Sequence, residues 1–210
     1  MRPFTPEEHA RISEAITRAE KNTSGEIVVV VARSSASYRA FALMCAALVA
    51  LAVPLPFIHF TKWPVEYIYL VQLMVFLAAA AVSQWEPVRI ALAPAAVKRA
   101  RSHQRAVDQF LAQNLHTTTG RTGVLIYVSA AERYAEVIAD DGIYRKVSPE
   151  VWDAVIAVLT SNIGKGTRTA GFVEAIEICG KVLAEHFPPG VGDRDELPNH
   201  LIVLDAVEPA

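Results

Sequence analysis

Two stretches without a single charged side chain constrain this chain more than anything else in it. Ala40 to Thr61 is 22 residues long and Tyr67 to Trp85 is 19. A helix rises about 1.5 Å per residue and a bilayer's hydrocarbon core is about 30 Å thick, so roughly 20 apolar residues span it. Both stretches are long enough. The short link through Lys62, Trp63, Pro64, Val65 and Glu66 makes them a helical hairpin. Trp63, Tyr67, Tyr69 and Trp85 fall near the expected interfaces, where amphipathic rings collect. A buried helical pair in a soluble core is the competing reading. The rest of the chain already makes a full domain, which disfavours it.

Charges orient the hairpin. Arg33 and Arg39 precede it, Arg89, Lys98, Arg99, Arg101 and Arg105 follow it, and the link holds only Lys62 against Glu66. Basic residues resist translocation, so the richer flank stays inside. The expectation is a two-pass protein of the inner (cell) membrane with both termini cytoplasmic. The first apolar run begins at Ala40, behind an acidic amphipathic segment, unlike a cleaved signal peptide with its basic n-region. Hydrophobic residues make up 52% and the mean hydropathy is +0.28, high for a wholly soluble chain. A net charge of −2 gives no case for nucleic acid. Cys45 lies in the first span and Cys179 in an expected soluble helix, so they read as two lone thiols of a reducing compartment.

The remainder reads as one discontinuous domain, because a piece as short as 1–39 cannot bury a core alone. Residues 1–39 and 87–190 are expected to form it, with the hairpin (40–86) as an insertion. The polar segment 191–210 is expected to be a mobile tail, although Leu201 to Leu204 is apolar enough to dock. Thr5-Pro6-Glu7-Glu8 has the form of a capping box, and Ile12, Ala15, Ile16 and Ala19 follow as a buried helical face. Glu26 to Ala32 and Gly123 to Ser129 are apolar runs of strands covered on both sides. Tyr134 to Asp140 follows the second closely enough for an antiparallel hairpin. Helices are expected over Ala95–Leu115, over about 149–162 and over about 169–186. The fold class is therefore α/β, a small mixed β-sheet sandwiched by helices with an inserted two-helix transmembrane hairpin.

Chemistry-bearing motifs are sparse. Gly164-Lys165-Gly166-Thr167 lacks the spacing of a phosphate-binding loop, with Leu159 and Gly166 where Gly and Ser or Thr are needed, and reads as a helix–helix turn. No two histidines sit at i, i+4 and none pairs with a cysteine, so zinc has little support. Asp140-Asp141-Gly142 is the best candidate. It ends an apolar strand, and two adjacent carboxylates offer oxygens to Ca²⁺ or Mg²⁺, with Glu132, Glu136 or Glu150 as further ligands. The same tripeptide is also a good turn for backbone reasons alone. Lys98, Arg99, Arg101 and Arg105 form a basic cluster suited to anionic lipid headgroups as well as to setting topology. Pro54, Pro56 and His59 suggest a kink or early end in the first span. Without Asp, Glu, Lys or Arg inside the spans, a transporter or channel is disfavoured.

The segments SGEIVVVVA (Ser24 to Ala32), GVLIYVSAAERYAEVIADDGI (Gly123 to Ile143) and the closing helices to FPPG (Phe187 to Gly190) resemble the TPM-domain family. The likeness is to its bacterial branch, in which a transmembrane pair interrupts the domain, and covers most of residues 5–190. It implies an α/β/α sandwich and an acid phosphatase activity with acidic residues binding a divalent cation near the third strand, where Asp140 and Asp141 lie. Where family members often carry a Glu and then Thr-Asp after the turn, this chain reads Ile143-Tyr144-Arg145-Lys146-Val147-Ser148-Pro149. Two functions follow as expectations. One is a membrane-anchored cytoplasmic binding or assembly module for membrane-protein complexes, with the lipid bilayer and other membrane proteins as partners. The other is a divalent-cation-dependent phosphatase using Asp140 and Asp141.

Overall fold

The computed structural model describes residues 2–190 and 196–205. They divide into two units. One gathers the chain up to Ser35 and again from Arg101; the other is Ala36–Ala100.

The first unit is built on four strands, β1 (Glu26–Ala32), β2 (Gly123–Ser129), β3 (Tyr134–Ala139) and β4 (Leu201–Leu204). Their spatial order is β3-β2-β1-β4. β1 runs parallel to both β2 and β4, with Val29 opposite Ile126 on one side and Leu201 on the other. β3 returns antiparallel to β2, with Ile126 opposite Val137. Every residue of β1 and β2 is buried. Their alternate side chains feed two cores, as a period of two requires. Ile27, Val29, Val31, Val124, Ile126 and Val128 face α1 (Pro6–Glu20), α8 (Pro149–Gly164) and α9 (Arg168–His186). Val28, Val30, Ala32, Leu125 and Tyr127 face Ala106 and Phe110 of α6 (Ala95–Ala112), together with Leu115 in the 3-10 turn that follows it. The mixed sheet covered on both faces is the α/β architecture expected. Each fully buried Ile or Leu in these layers contributes about 1.5–3 kcal/mol of burial free energy.

Local chemistry sets the helix ends. Thr5 accepts from the Glu8 amide at 3.2 Å while the Glu8 carboxylate accepts from the Thr5 amide at 2.9 Å. That reciprocal pair satisfies two donors that a helix N-terminus leaves open. α1 then lies so close to α9 that a Cβ on Gly180 would fall 2.6 Å from the Ala19 Cβ. Gly166 carries φ +79 in the α8–α9 turn, which a helix and not a strand leads into.

One sequence expectation gives way here. Within the segment assigned to a mobile tail, Leu201–Leu204 completes the sheet. Leu201 is buried, and the Leu204 carbonyl accepts from the Arg33 amide at 3.0 Å. The rest of 191–210 lies partly outside the described residues.

The second unit contains α2 (Arg39–Ala52), α3 (Pro54–Phe60), α4 (Val65–Ser83) and α5 (Glu86–Leu92). Pro54 has no N–H, so the first apolar run breaks there into α2 and α3. Ala42, Ala46 and Ala50, one turn apart, are buried and let α2 approach α4. The large apolar side chains Leu43, Met44, Leu48, Leu51, Leu70, Leu73, Met74 and Leu77 point outward. That is the reverse of a soluble core, in which such residues turn inward. Arg39–Phe60 and Val65–Ser83 are both long and apolar enough to cross a membrane, and only 17% and 6% of their most apolar windows are buried.

Candidate functional site

Open α/β sheets hold ligands outside the carboxyl ends of their parallel strands. Strand direction therefore decides which end of this sheet to inspect. β1 and β2 finish at Ala32 and Ser129, whereas antiparallel β3 finishes at the opposite end, beside the start of β2. Asp140, whose amide bonds to the Gly123 carbonyl at 2.9 Å, is thus at the amino end of the parallel strands. Asp140-Asp141-Gly142, expected from the sequence at a ligand-binding end, lies instead at the opposite end of the sheet.

The Asp140 carboxylate caps α7 (Asp141–Tyr144), accepting from the Asp141 amide at 2.7 Å. Its second oxygen is buried 3.3 Å from Arg121 Nε, close enough for an ion pair but not aligned as a hydrogen bond. Asp141 is exposed and accepts from Arg145 at 2.5 Å. Each carboxylate thus has its own arginine. Gly142 has a steric reason to be glycine. A Cβ there would sit 2.6 Å from the Arg121 carbonyl oxygen and 2.7 Å from that of Gly120. The further ligands proposed from sequence do not converge on the pair. Glu132 stands beyond the far end of β3, a strand of six residues and so about 20 Å long. Glu136 is bound by His103 Nδ1 at 2.8 Å and by the Tyr134 hydroxyl at 2.9 Å. Glu150 is exposed, and the Ser148 hydroxyl beside it holds its carboxyl below the usual range. Among the described residues, no three His, Cys, Asp or Glu side chains are grouped so as to hold a metal.

At the carboxyl end of β1 and β2 lies a polar cluster that residue spacing alone does not reveal. Glu132, in the β2–β3 turn, accepts from the Ser34 hydroxyl at 3.0 Å, the Ser35 amide at 3.0 Å and, through its other oxygen, the Ser129 hydroxyl. The Ser35 and Tyr127 hydroxyls bond at 2.8 Å. Burial pushes the Tyr127 phenol up from its ordinary value, the Ser35 bond opposes that, and the nearby Glu132 charge reinforces it. Arg105 of α6 acts on the same phenol, pulling it back down. The Ala131 amide bonds to the Arg33 carbonyl at 3.0 Å, so the turn and the segment after β1 are tied together by main chain as well. This arrangement fixes the point where the chain leaves the sheet for the apolar hairpin. Its signal in the sequence is faint: serines directly after one apolar run, and a serine closing the other.

The basic cluster lies along α6. Lys98, Arg101 and Arg105 recur at i, i+3 and i+7 and so share one stripe, with Arg99 about 100° away. Arg99 and Arg101 are exposed. Lys98 donates to the Ile90 carbonyl at 3.3 Å, and Arg105 is half-buried with its Nε lacking a hydrogen-bond acceptor.

No protein-family model matches this chain, and no curated protein does. Among solved structures, it is similar to the NMR structure of BA42 protein from the psychrophilic bacterium Bizionia argentinensis. The two share 25% identity over 96% of each chain, with a TM-score of 0.60. The likeness is one of fold along nearly the whole length.

Proposed function

We propose that this chain is a two-pass membrane protein whose TPM-like α/β domain works as a binding or assembly module at the membrane surface. The observation that carries the reading is the hairpin whose large apolar side chains face outward while alanines fill its seam. That pattern suits lipid as solvent, because small residues let helices pack where no hydrophobic force drives them together. Both termini lie in the cytoplasm of a cell with this hairpin in its inner membrane, as the excess of basic residues on the flanks requires. Arg99 and Arg101 are free to meet anionic headgroups, at about 1 kcal/mol per charge near the surface. Partners of the α/β domain are other membrane proteins.

Vesicle reconstitution tests this. The chain is expected to stay with the bilayer through an alkaline carbonate wash. A cysteine at Val65 should be labelled from outside intact cells, and one at Glu7 should not. Release by carbonate, or the reverse labelling, sinks the reading. Phosphatase activity, which the TPM resemblance also implies, draws no support from carboxylates already paired with Arg121 and Arg145. Titration of Ca²⁺ and Mg²⁺ into the detergent-solubilised chain should release no heat that Asp140→Ala/Asp141→Ala abolishes. Such a signal, with phosphomonoester turnover lost in the same variant, would favour the enzyme over the module.

A further inference from the structure

Two neighbouring donors on α6 are buried without an acceptor. Helical hydroxyls elsewhere in the chain turn back to their own backbone: Thr160 donates to the Ile156 carbonyl at 2.7 Å, and Ser83 to that of Ala80 at 2.7 Å. Ser102 does not. It is fully buried, in the helix whose Ala106 and Phe110 pack on the sheet, and its Oγ has no hydrogen-bond partner. Arg105 lies three residues on and so beside it on the helix surface, and its buried Nε is in the same condition. The place of this pair in the fold is fixed by His103, which stands between them in sequence. His103 Nδ1 bonds to Glu136 at 2.8 Å, and Glu136 is opposite Tyr127 in the β2–β3 register. This turn of α6 is therefore level with Tyr127, whose phenol feels the Arg105 charge. It lies towards the carboxyl ends of β1 and β2, the end at which α/β sheets take ligands.

Burying a donor without an acceptor is costly, and two such groups one helical turn apart call for a ligand that supplies oxygens to both. We propose that Ser102 and Arg105 bind the carboxylate of a small organic acid at this end of the sheet. The inference goes beyond the binding-module reading and stands whether or not the hairpin spans a membrane. The guanidinium edge that carries Nε–H presents it parallel to an Nη–H, the fork that a carboxylate fits, and the Ser102 hydroxyl donates to a remaining lone pair. Charge selects the class of ligand. Glu132 already places one negative charge in the polar cluster at this end, its oxygens taken by Ser34, Ser35 and Ser129. Arg105 brings one positive charge, which matches a carboxylate and falls short of a phosphate dianion.

The test is calorimetric titration of the full chain in detergent at neutral pH, with acetate as the probe and sodium chloride holding the ionic strength constant. Acetate should give a saturable heat, and phosphate a weaker one. Arg105→Gln should weaken acetate by about 10- to 100-fold and Ser102→Ala by about 3- to 10-fold, the range for a charged and a neutral hydrogen bond. Arg11→Gln removes the same charge from an exposed position on α1, across the sheet, and should bind as the parent does. Thermal unfolding without added anion gives a second reading. Ser102→Ala deletes a buried hydroxyl that has no partner, so its midpoint should equal or exceed the parent's. No saturable heat from acetate, phosphate bound as tightly as acetate, or equal affinity in the parent, Arg105→Gln and Ser102→Ala overturns the site. So does a lower midpoint for Ser102→Ala, which would mean that the hydroxyl already has a partner in the empty protein.

Discussion

Arg168 opens α9 almost wholly inside the protein, and its guanidinium is divided among several partners. It donates to the Glu8 carboxylate at 2.7 Å, to the Arg2 carbonyl at 2.6 Å and to the Pro3 carbonyl at 2.8 Å, and lies 3.9 Å from the Phe4 ring centroid. The planar fork suits this; an ammonium cannot reach the same set. Removing it leaves a half-buried carboxylate and two carbonyls short of a donor. Arg168→Ala should therefore destabilise the fold by about 2–4 kcal/mol, and Arg168→Lys should recover less than half. The midpoint of denaturant unfolding at neutral pH is the measurement. The pH dependence has a fixed sign. Arg168, then the Thr5 amide, hold the Glu8 carboxyl at about 2 instead of the usual 4.5. A depressed folded value means the stabilisation is complete above the unfolded value and fades as pH falls from about 4.5 towards 2. The parent should thus lose stability across that window more steeply than Arg168→Ala. Parallel curves would show that the arginine does not set the Glu8 proton affinity.

β4 is the element whose sequence understates it. Its four residues sit after a polar, proline-containing stretch, and nothing local distinguishes a docked strand from an apolar fragment of tail. What fixes it is long-range: the open edge of β1, whose ladder it completes from Val29 to Ala32. Leu201 is buried and Leu204 packs on the α6 side. Glu196 anchors the approach, its amide donating to Glu26 at 3.0 Å and its carboxylate accepting from Thr119 at 3.1 Å. Ending the chain at Pro189 should cost about 2–4 kcal/mol from the lost leucine burial alone, and should expose a flat apolar edge that favours aggregation. Val203→Lys, on an outward-facing side chain, should be neutral. The two variants are compared by thermal unfolding and by light scattering. Equal stability of the truncated and full chains would mean the strand is not docked in solution. By contrast, β1, β2, the capping box at Thr5 and the break at Pro54 were legible, because run length, cap chemistry and the missing proline N–H act within a few residues. The polar cluster around Glu132 was not. It forms only once two strands and a turn far apart in sequence share one sheet end, and sheet direction also moved the candidate end away from Asp140.

For the whole molecule, the chain leaves one sheet strand for the hairpin and returns to supply the next, so the α/β unit is made of separated pieces. β1 comes from before the hairpin, and α6, β2, β3, α8, α9 and β4 from after it. The piece before the hairpin cannot cover its own strand. β1 is buried on one face by Ile12 and Ile16 of α1, but also by Phe172 and Ile176 of α9, and on the other by Phe110. A chain in which residues 36–100 are replaced by a flexible Gly/Ser linker should therefore still fold. The boundary follows the structural division at Ser35 and Arg101, and the C-terminal residues must be kept because β4 closes the sheet. The linker needs only to rejoin the two ends, and lengthening it costs little, about 0.6 kcal/mol per doubling. The product should remain soluble without detergent and unfold in one cooperative transition. Circular dichroism and tryptophan fluorescence of Trp152, the one tryptophan left after the replacement, should share a midpoint. Trp152 is buried against the α1–α8–α9 core, so its emission reports that layer directly. Separate midpoints, or an insoluble product with every linker length tried, would mean that the hairpin is part of the folding unit and not an insertion into it.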